Sequence, residues 1–180
     1  MKAVIASALA AVVLALVLSL PALAADSGSI TIIMTEGQEI SISLDKTQWL
    51  LGKVAPNMEH VTSPPIEWCT LTVSGDCDVN TFIVGEDAEW VDSPGAYNWS
   101  LSSDGTNGDQ TYGLWFRISG DASRGYVPIT KTEGEFWPYD AGPSLTPGAT
   151  KRFGLRLLTP TSFAGGREMR TRITISAVAA

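Results

Sequence analysis

The side chains able to do chemistry in this chain are one histidine, two cysteines, nineteen carboxylates and six tryptophans. A Ser-His-Asp or Cys-His arrangement needs an imidazole beside its nucleophile. His60, in Asn57-Met58-Glu59-His60-Val61-Thr62, is the only histidine, and no Gly-x-Ser-x-Gly accompanies it. A lone histidine in a polar connection reads as a surface residue, so it receives no catalytic role. Cys69, Cys77 and His60 lack metal-ligand spacing, and a site of several histidines is excluded by count. Phosphate loops and dinucleotide fingerprints are absent. No catalytic residue, bound metal or cofactor is therefore expected.

Carboxylates alone leave a glycosidase pair open. The densest acidic run, Glu86-Asp87-Ala88-Glu89-Trp90-Val91-Asp92, reads as a solvated loop whose charges guard a sheet edge. Asp104-Gly105-Thr106-Asn107-Gly108-Asp109 faintly resembles a calcium loop. It lacks the bidentate Glu and the spacing of an EF-hand, and its Asp-Gly and Asn-Gly pairs are strong turn formers, so a tight turn is the expectation. Asn98-Trp99-Ser100 has the form of a glycosylation sequon and reads as strand sequence. Planar indoles suit the apolar face of a sugar ring, and they also fill β cores. Trp49, Trp68 and Trp99 are expected in the core; Trp115 and Trp137, the latter in a Trp-Pro-Tyr loop, are the candidate ligand aromatics.

The elements that must position these residues are strands. Alternation or β-branched enrichment marks 29–35, 39–44, 49–54, 68–73, 79–84, 112–119, 150–158 and 170–177. Between them lie turn formers such as Pro64-Pro65, Ser93-Pro94-Gly95 and Gly165-Gly166, with a polar hairpin connection over 100–110. No amphipathic helix, internal repeat or second-domain boundary is found. Many short strands between regular turns predict an all-β, antiparallel sandwich of immunoglobulin-like or jelly-roll type. Tyr112, Leu114, Phe116 and Ile118 share one face, and Phe153, Leu155 and Leu157 another, opposite Trp115 and Arg156 respectively.

The Trp49-Leu50-Leu51-Gly52-Lys53-Val54-Ala55-Pro56 segment, the Leu71-Thr72-Val73 strand, Thr111-Tyr112-Gly113-Leu114 and the terminal Arg172-Ile173-Thr174-Ile175-Ser176-Ala177 follow an apolar leader. In this arrangement the chain resembles secreted bacterial immunoglobulin-like sandwich proteins of surface or matrix type. The resemblance implies non-catalytic work at or beyond the cell surface and assigns no site residue.

Export is expected from the leader itself. Lys2 supplies a positive start, Ala3 to Leu18 an uncharged apolar run, and Ala22-Leu23-Ala24 an A-x-A cleavage site. Residues 1–24 read as a signal peptide and 25–180 as one domain, with no integral membrane segment after cleavage and a secreted, cell-surface or periplasmic location. In an exported chain two cysteines default to a disulfide. A continuous strand would part Cys69 and Cys77 by ~26 Å, so the expected bridge needs a turn and a bulge or wider loop about Ser74-Gly75-Asp76.

Without Lys2 the chain carries 11 basic and 19 acidic side chains, a net charge of −8. Nucleic acid is not an expected partner. Residues 151–172 alone carry +5 and those before them −13. If the last two strands are neighbours, Arg152, Arg156, Arg170 and Arg172 form one basic face suited to head-to-tail self-association or contact with an envelope polysaccharide. The leading expectation is a non-enzymatic structural component of a surface, matrix or fibre. A carbohydrate-binding module comes second and a small glycoside hydrolase third. Intact-mass measurement of the exported chain is expected to give an N-terminus at Ala25, and a membrane-held product retaining residues 1–24 would contradict that processing.

Overall fold

The computed structural model describes residues 37–121, 124–138 and 142–180. The expected leader and the expected strand over 29–35 lie outside the described residues. Those described form strands and no helix: β1 (Ile42–Leu44), β2 (Glu59–Val61), β3 (Cys69–Val73), β4 (Val79–Gly85), β5 (Ala88–Trp90), β6 (Asn98–Leu101), β7 (Thr111–Ile118), β8 (Val127–Pro128), β9 (Gly134–Trp137), β10 (Thr150–Leu158), β11 (Met169–Arg170) and β12 (Ile173–Ala179). The larger sheet runs β1-β3-β10-β7-β6-β5-β11, with β2 also on β10 and β8 also on β7. The smaller runs β12-β4-β9. The fold is all-β, as the alternation predicts.

Period-2 patterning explains which faces meet. Cys69, Leu71 and Val73 of β3, Tyr112, Leu114, Phe116 and Ile118 of β7, and Phe153 and Leu157 of β10 are buried, as are Val79, Thr81 and Ile83 of β4 and Phe136 of β9. Phe136 joins the two sheets. Its ring lies 5.2 Å from Phe116, stacked, and 5.0 Å from Phe153, edge-on. Such pairs add to the large apolar area that each ring removes from water.

Four expectations are corrected. The sheets are not wholly antiparallel, because β6 and β7 pair in parallel through Ser100↔Thr111 and Leu101↔Tyr112. The connection over 102–110 is accordingly no hairpin. It turns through Gly105 at φ 88° and Gln110 at φ 50°, and returns the chain to the end at which β6 began. Residues 49–54 form no strand. Leu50 is 85% exposed while Trp49 and Leu51 pack on the core, so the alternation survives without a partner ladder. Trp137 lies on β9 and not in a loop. Finally, β10 pairs with β2, β3 and β7, whereas β12 pairs with β4 in the other sheet.

Phe136→Ala is expected to destabilise the fold by about 3 to 5 kcal/mol, the usual cost of removing a buried phenylalanine. Leu50→Ala should stay within about 0.5 kcal/mol, as exposed substitutions do. Chemical denaturation of the two variants checks the contrast, and equal losses would contradict it.

Candidate functional site

The two candidate ligand aromatics are not brought together. Trp115, on the outward face of β7, is only 8% exposed. Arg156 lies over its ring at 4.1 Å, held near Glu59 with Nε 3.5 Å from Oε2. Glycines make the room beneath. A Cβ on Gly105 would stand 2.5 Å from the Trp115 Nε1, and one on Gly113 2.4 Å from the far edge of the ring. Trp68 is seated in the same way on Gly154 and donates Nε1–H to the Thr62 carbonyl at 3.3 Å. Trp115 is therefore packed away, not presented as a platform.

Trp137 borders a cleft of about 250 Å³ with Asn80, Phe82, Glu135 and Ser144. Its Nε1–H donates to the Pro143 carbonyl at 3.0 Å, and the Lys151 ammonium stands 3.5 Å from the ring centroid. Partial burial lowers the pKa of Lys151 from the ordinary lysine value, opposed by the charge of Asp121. Of the expected core tryptophans, Trp68 and Trp99 are buried, Trp99 with its ring 4.7 Å from Phe163, while Trp49 is half-buried against the core.

The expected basic face is not assembled. With β10 and β12 in different sheets, the side chains of Arg152, Arg156 and Arg170 make separate local contacts. Arg152 donates to the Pro65 carbonyl at 2.8 Å, Arg156 covers Trp115, and Arg170 lies 3.5 Å from Glu168. The Arg172 carbonyl accepts from the Glu86 N–H at 3.1 Å.

The expected disulfide is also absent: both cysteines are free thiols. The reason is the antiparallel pairing of β1 with β3. Cys69 Sγ donates to the Lys46 carbonyl and Cys77 Sγ to the Glu39 carbonyl, so the two thiols reach opposite ends of the β1 segment. The seven steps from Glu39 to Lys46, which pass through that strand, span up to roughly 24 Å when extended, far beyond bridging distance. Burial pushes the Cys69 thiol above its ordinary pKa.

His60 sits on β2 opposite Leu157, not in a polar connection, and its Nε2 is buried without a hydrogen-bond partner. Within the acidic run, Ala88–Trp90 is strand β5 and not loop. Asp87 accepts from the Leu101 N–H at 2.7 Å and lies 3.1 Å from the Lys131 ammonium. The polar side chains of the calcium-like loop point in three directions, Asn107 donating through its amide nitrogen. Asp104 accepts from Ser102 Oγ and from the Thr106 N–H and hydroxyl, Asn107 reaches Asn57 and Thr159, and Asp109 accepts from the Ser162 hydroxyl. Among the described residues no group of three His, Cys, Asp or Glu converges as a metal site would.

What the sequence reading missed is the free side of β12. All seven residues pair with β4, and among the described residues no strand pairs on the other side. Ile173, Ile175 and Ala177 turn inward yet remain half-exposed, whereas Val79, Thr81 and Ile83 beside them on β4 are 0 to 3% exposed. The core is thus incompletely covered along this edge. Ile-Thr-Ile-Ser-Ala-Val-Ala contains no charge, proline or glycine, the devices that normally blunt an edge. The strands at the other ends of the two sheets are short, β1 with three residues, β11 with two and β9 with four, and β9 carries Glu135 and leads into Pro138. The uncharged run was the signal available in the sequence.

No family model, curated protein or solved structure matches this chain.

The hydrogen bonds from Thr106 and Ser102 hold the Asp104 carboxyl down at about 2. Since the folded pKa lies below the unfolded one, near 3.9, the contribution of this turn is fully present above about pH 4. It is lost as the pH falls through about 2. Carbon-detected NMR titration should place the Asp104 midpoint near 2, and a midpoint near 4 would show that these bonds do not hold in solution.

Proposed function

We propose that this chain is an exported, non-enzymatic β-sandwich of immunoglobulin-like or jelly-roll type that acts as a structural component of a cell surface, matrix or fibre. The observation that carries this reading is the uncharged, seven-residue edge of β12, unpaired on its outer side among the described residues, with its half-exposed inner side chains. An edge of that length and composition templates pairing with another strand. A protein selected to stay monomeric would interrupt it with a charge or a proline. The apolar leader and the A-x-A site agree with work outside the cytoplasm. Self-association then rests on main-chain hydrogen bonds and apolar contact, and not on the basic face anticipated from the charge distribution.

A second reading, a carbohydrate-binding module, is favoured by the Trp137 cleft alone. Phe82 and Trp137 offer apolar surface there, and Asn80, Glu135 and Ser144 offer hydrogen-bonding groups. Trp115 does not contribute. A glycoside hydrolase would need two facing carboxylates, and among the described residues lining this cleft Glu135 supplies one.

Light scattering and electron microscopy of the exported chain test the leading reading. Assemblies are expected to grow with protein concentration and to persist at 1 M salt, where the Debye length has fallen to ~3 Å. A strict monomer at every concentration would overturn it. Polysaccharide binding by that monomer, lost in Trp137→Ala, would establish the second reading in its place.

A further inference from the structure

We infer that the open edge of β12 receives residues Ser29–Thr35 of a second copy of this chain, a deepening that rests on the structural reading above. The direction of the β12 main chain is set by its ladder. Arg172 O accepts from Glu86 N–H at 3.1 Å and Ala180 N–H donates to Asp78 O at 2.9 Å, so the even-numbered residues face β4. In an antiparallel ladder the intervening residues then present their groups to the other side. Ile173, Ile175, Ala177 and Ala179 thus offer N–H and C=O groups along the open edge.

The side chains specify what kind of strand fits. A strand added beside β12 must place apolar groups over the half-exposed Ile173, Ile175 and Ala177, and polar ones beside Thr174 and Ser176. Ser29-Ile30-Thr31-Ile32-Ile33-Met34-Thr35 offers Ile30, Ile32 and Met34 for one face, and for the other Ser29, Thr31 and Thr35 with Ile33 as the one apolar member. Its Ile-Thr-Ile matches the Ile173-Thr174-Ile175 of the edge itself. Seven residues match the length of β12, and neither strand carries a charge to oppose close approach.

The sense of pairing points to a second copy as the source. Glu39 is fastened to Asp76, its N–H donating to Oδ1 at 2.6 Å and its carbonyl accepting from the Asp76 N–H at 3.0 Å. Asp78, two residues on, bonds Ala180 at the end of β12. A segment entering that point from its own chain would have to run parallel to β12. One from another copy is free to run antiparallel, the more stable ladder. Each copy then donates one strand and accepts one, a heterologous contact that propagates as an open chain of subunits.

Two proline variants of the full exported chain test this. Ile32→Pro spoils the donor strand and lies outside the described fold. Ala177→Pro removes an N–H that faces the open side, leaving the β4 ladder its donors. Each variant alone is expected to be monomeric by light scattering where the wild type assembles, with its near-ultraviolet circular dichroism unchanged. Mixed, they are expected to form a one-to-one heterodimer, since Ile32→Pro still accepts and Ala177→Pro still donates. Wild-type assembly that persists in Ile32→Pro would overturn this pairing and leave the structural reading standing. Two monomers that stay apart on mixing would overturn it as well, as would a self-contained wild-type monomer, which removes both readings. Should Ala177→Pro fail to fold, the Ile32→Pro result alone decides.

Discussion

Phe136 lies between Phe116 and Phe153, stacked on one and edge-on to the other, and this contact fixes how the three-stranded sheet covers its larger partner. A fully buried ring between two others leaves little freedom in spacing, because interiors are packed to crystal-like density. β4 pairs with β9 across a register shift between Thr81 and Phe82, and its Val79, Thr81 and Ile83 are buried in the same core. β12 is one strand further from Phe136. Its inward side chains receive less cover, since among the described residues the smaller sheet has three strands against the larger sheet's longer row.

Buried polar groups secure the segments that wrap this core. The Tyr112 hydroxyl donates to the Glu86 carbonyl at 2.5 Å and meets the Thr171 hydroxyl at 2.8 Å, and Thr171 bonds the same carbonyl at 2.9 Å. That knot ties β7 to the ends of β4 and β12. Burial raises the pKa of the Tyr112 phenol, which keeps the hydroxyl a donor. Thr159, fully buried, bonds the Ala55 carbonyl and the Met58 N–H, fastening an irregular segment that has no ladder of its own. Buried hydroxyls satisfied in this way avoid the desolvation cost of an unpaired group.

The same architecture separates the two functional readings in space. An outward aromatic on the larger sheet, Trp115, is capped by Arg156 and seated on glycines, whereas Trp137 on β9, with Lys151 over its ring, lines a cleft. The edge of β12 lies on the opposite side of β4 from β9. Strand addition at one margin of the small sheet therefore leaves the cleft at the other margin formed. Under the proposed strand addition, the cleft lined by Asn80, Phe82, Glu135 and Trp137 would not be consumed by assembly.

Local chemistry was legible wherever a residue's neighbours in sequence decided its state. The inward faces of β7 and β10, the strand nature of Asn98-Trp99-Ser100 and the turn at Asp104 all follow from period-2 burial and short-range hydrogen bonding. Pairing was another matter. That β10 and β12 belong to different sheets, that β6 runs parallel to β7, that Cys69 and Cys77 reach opposite ends of β1, and that Arg156 caps Trp115 are facts about which strands became neighbours. Alternation is the same for a strand in either sheet and with either neighbour, so the amino-acid sequence by itself determined the faces of the strands. Only the tertiary structure decided their partners, because partner choice depends on long-range packing around Phe136, which no local pattern encodes.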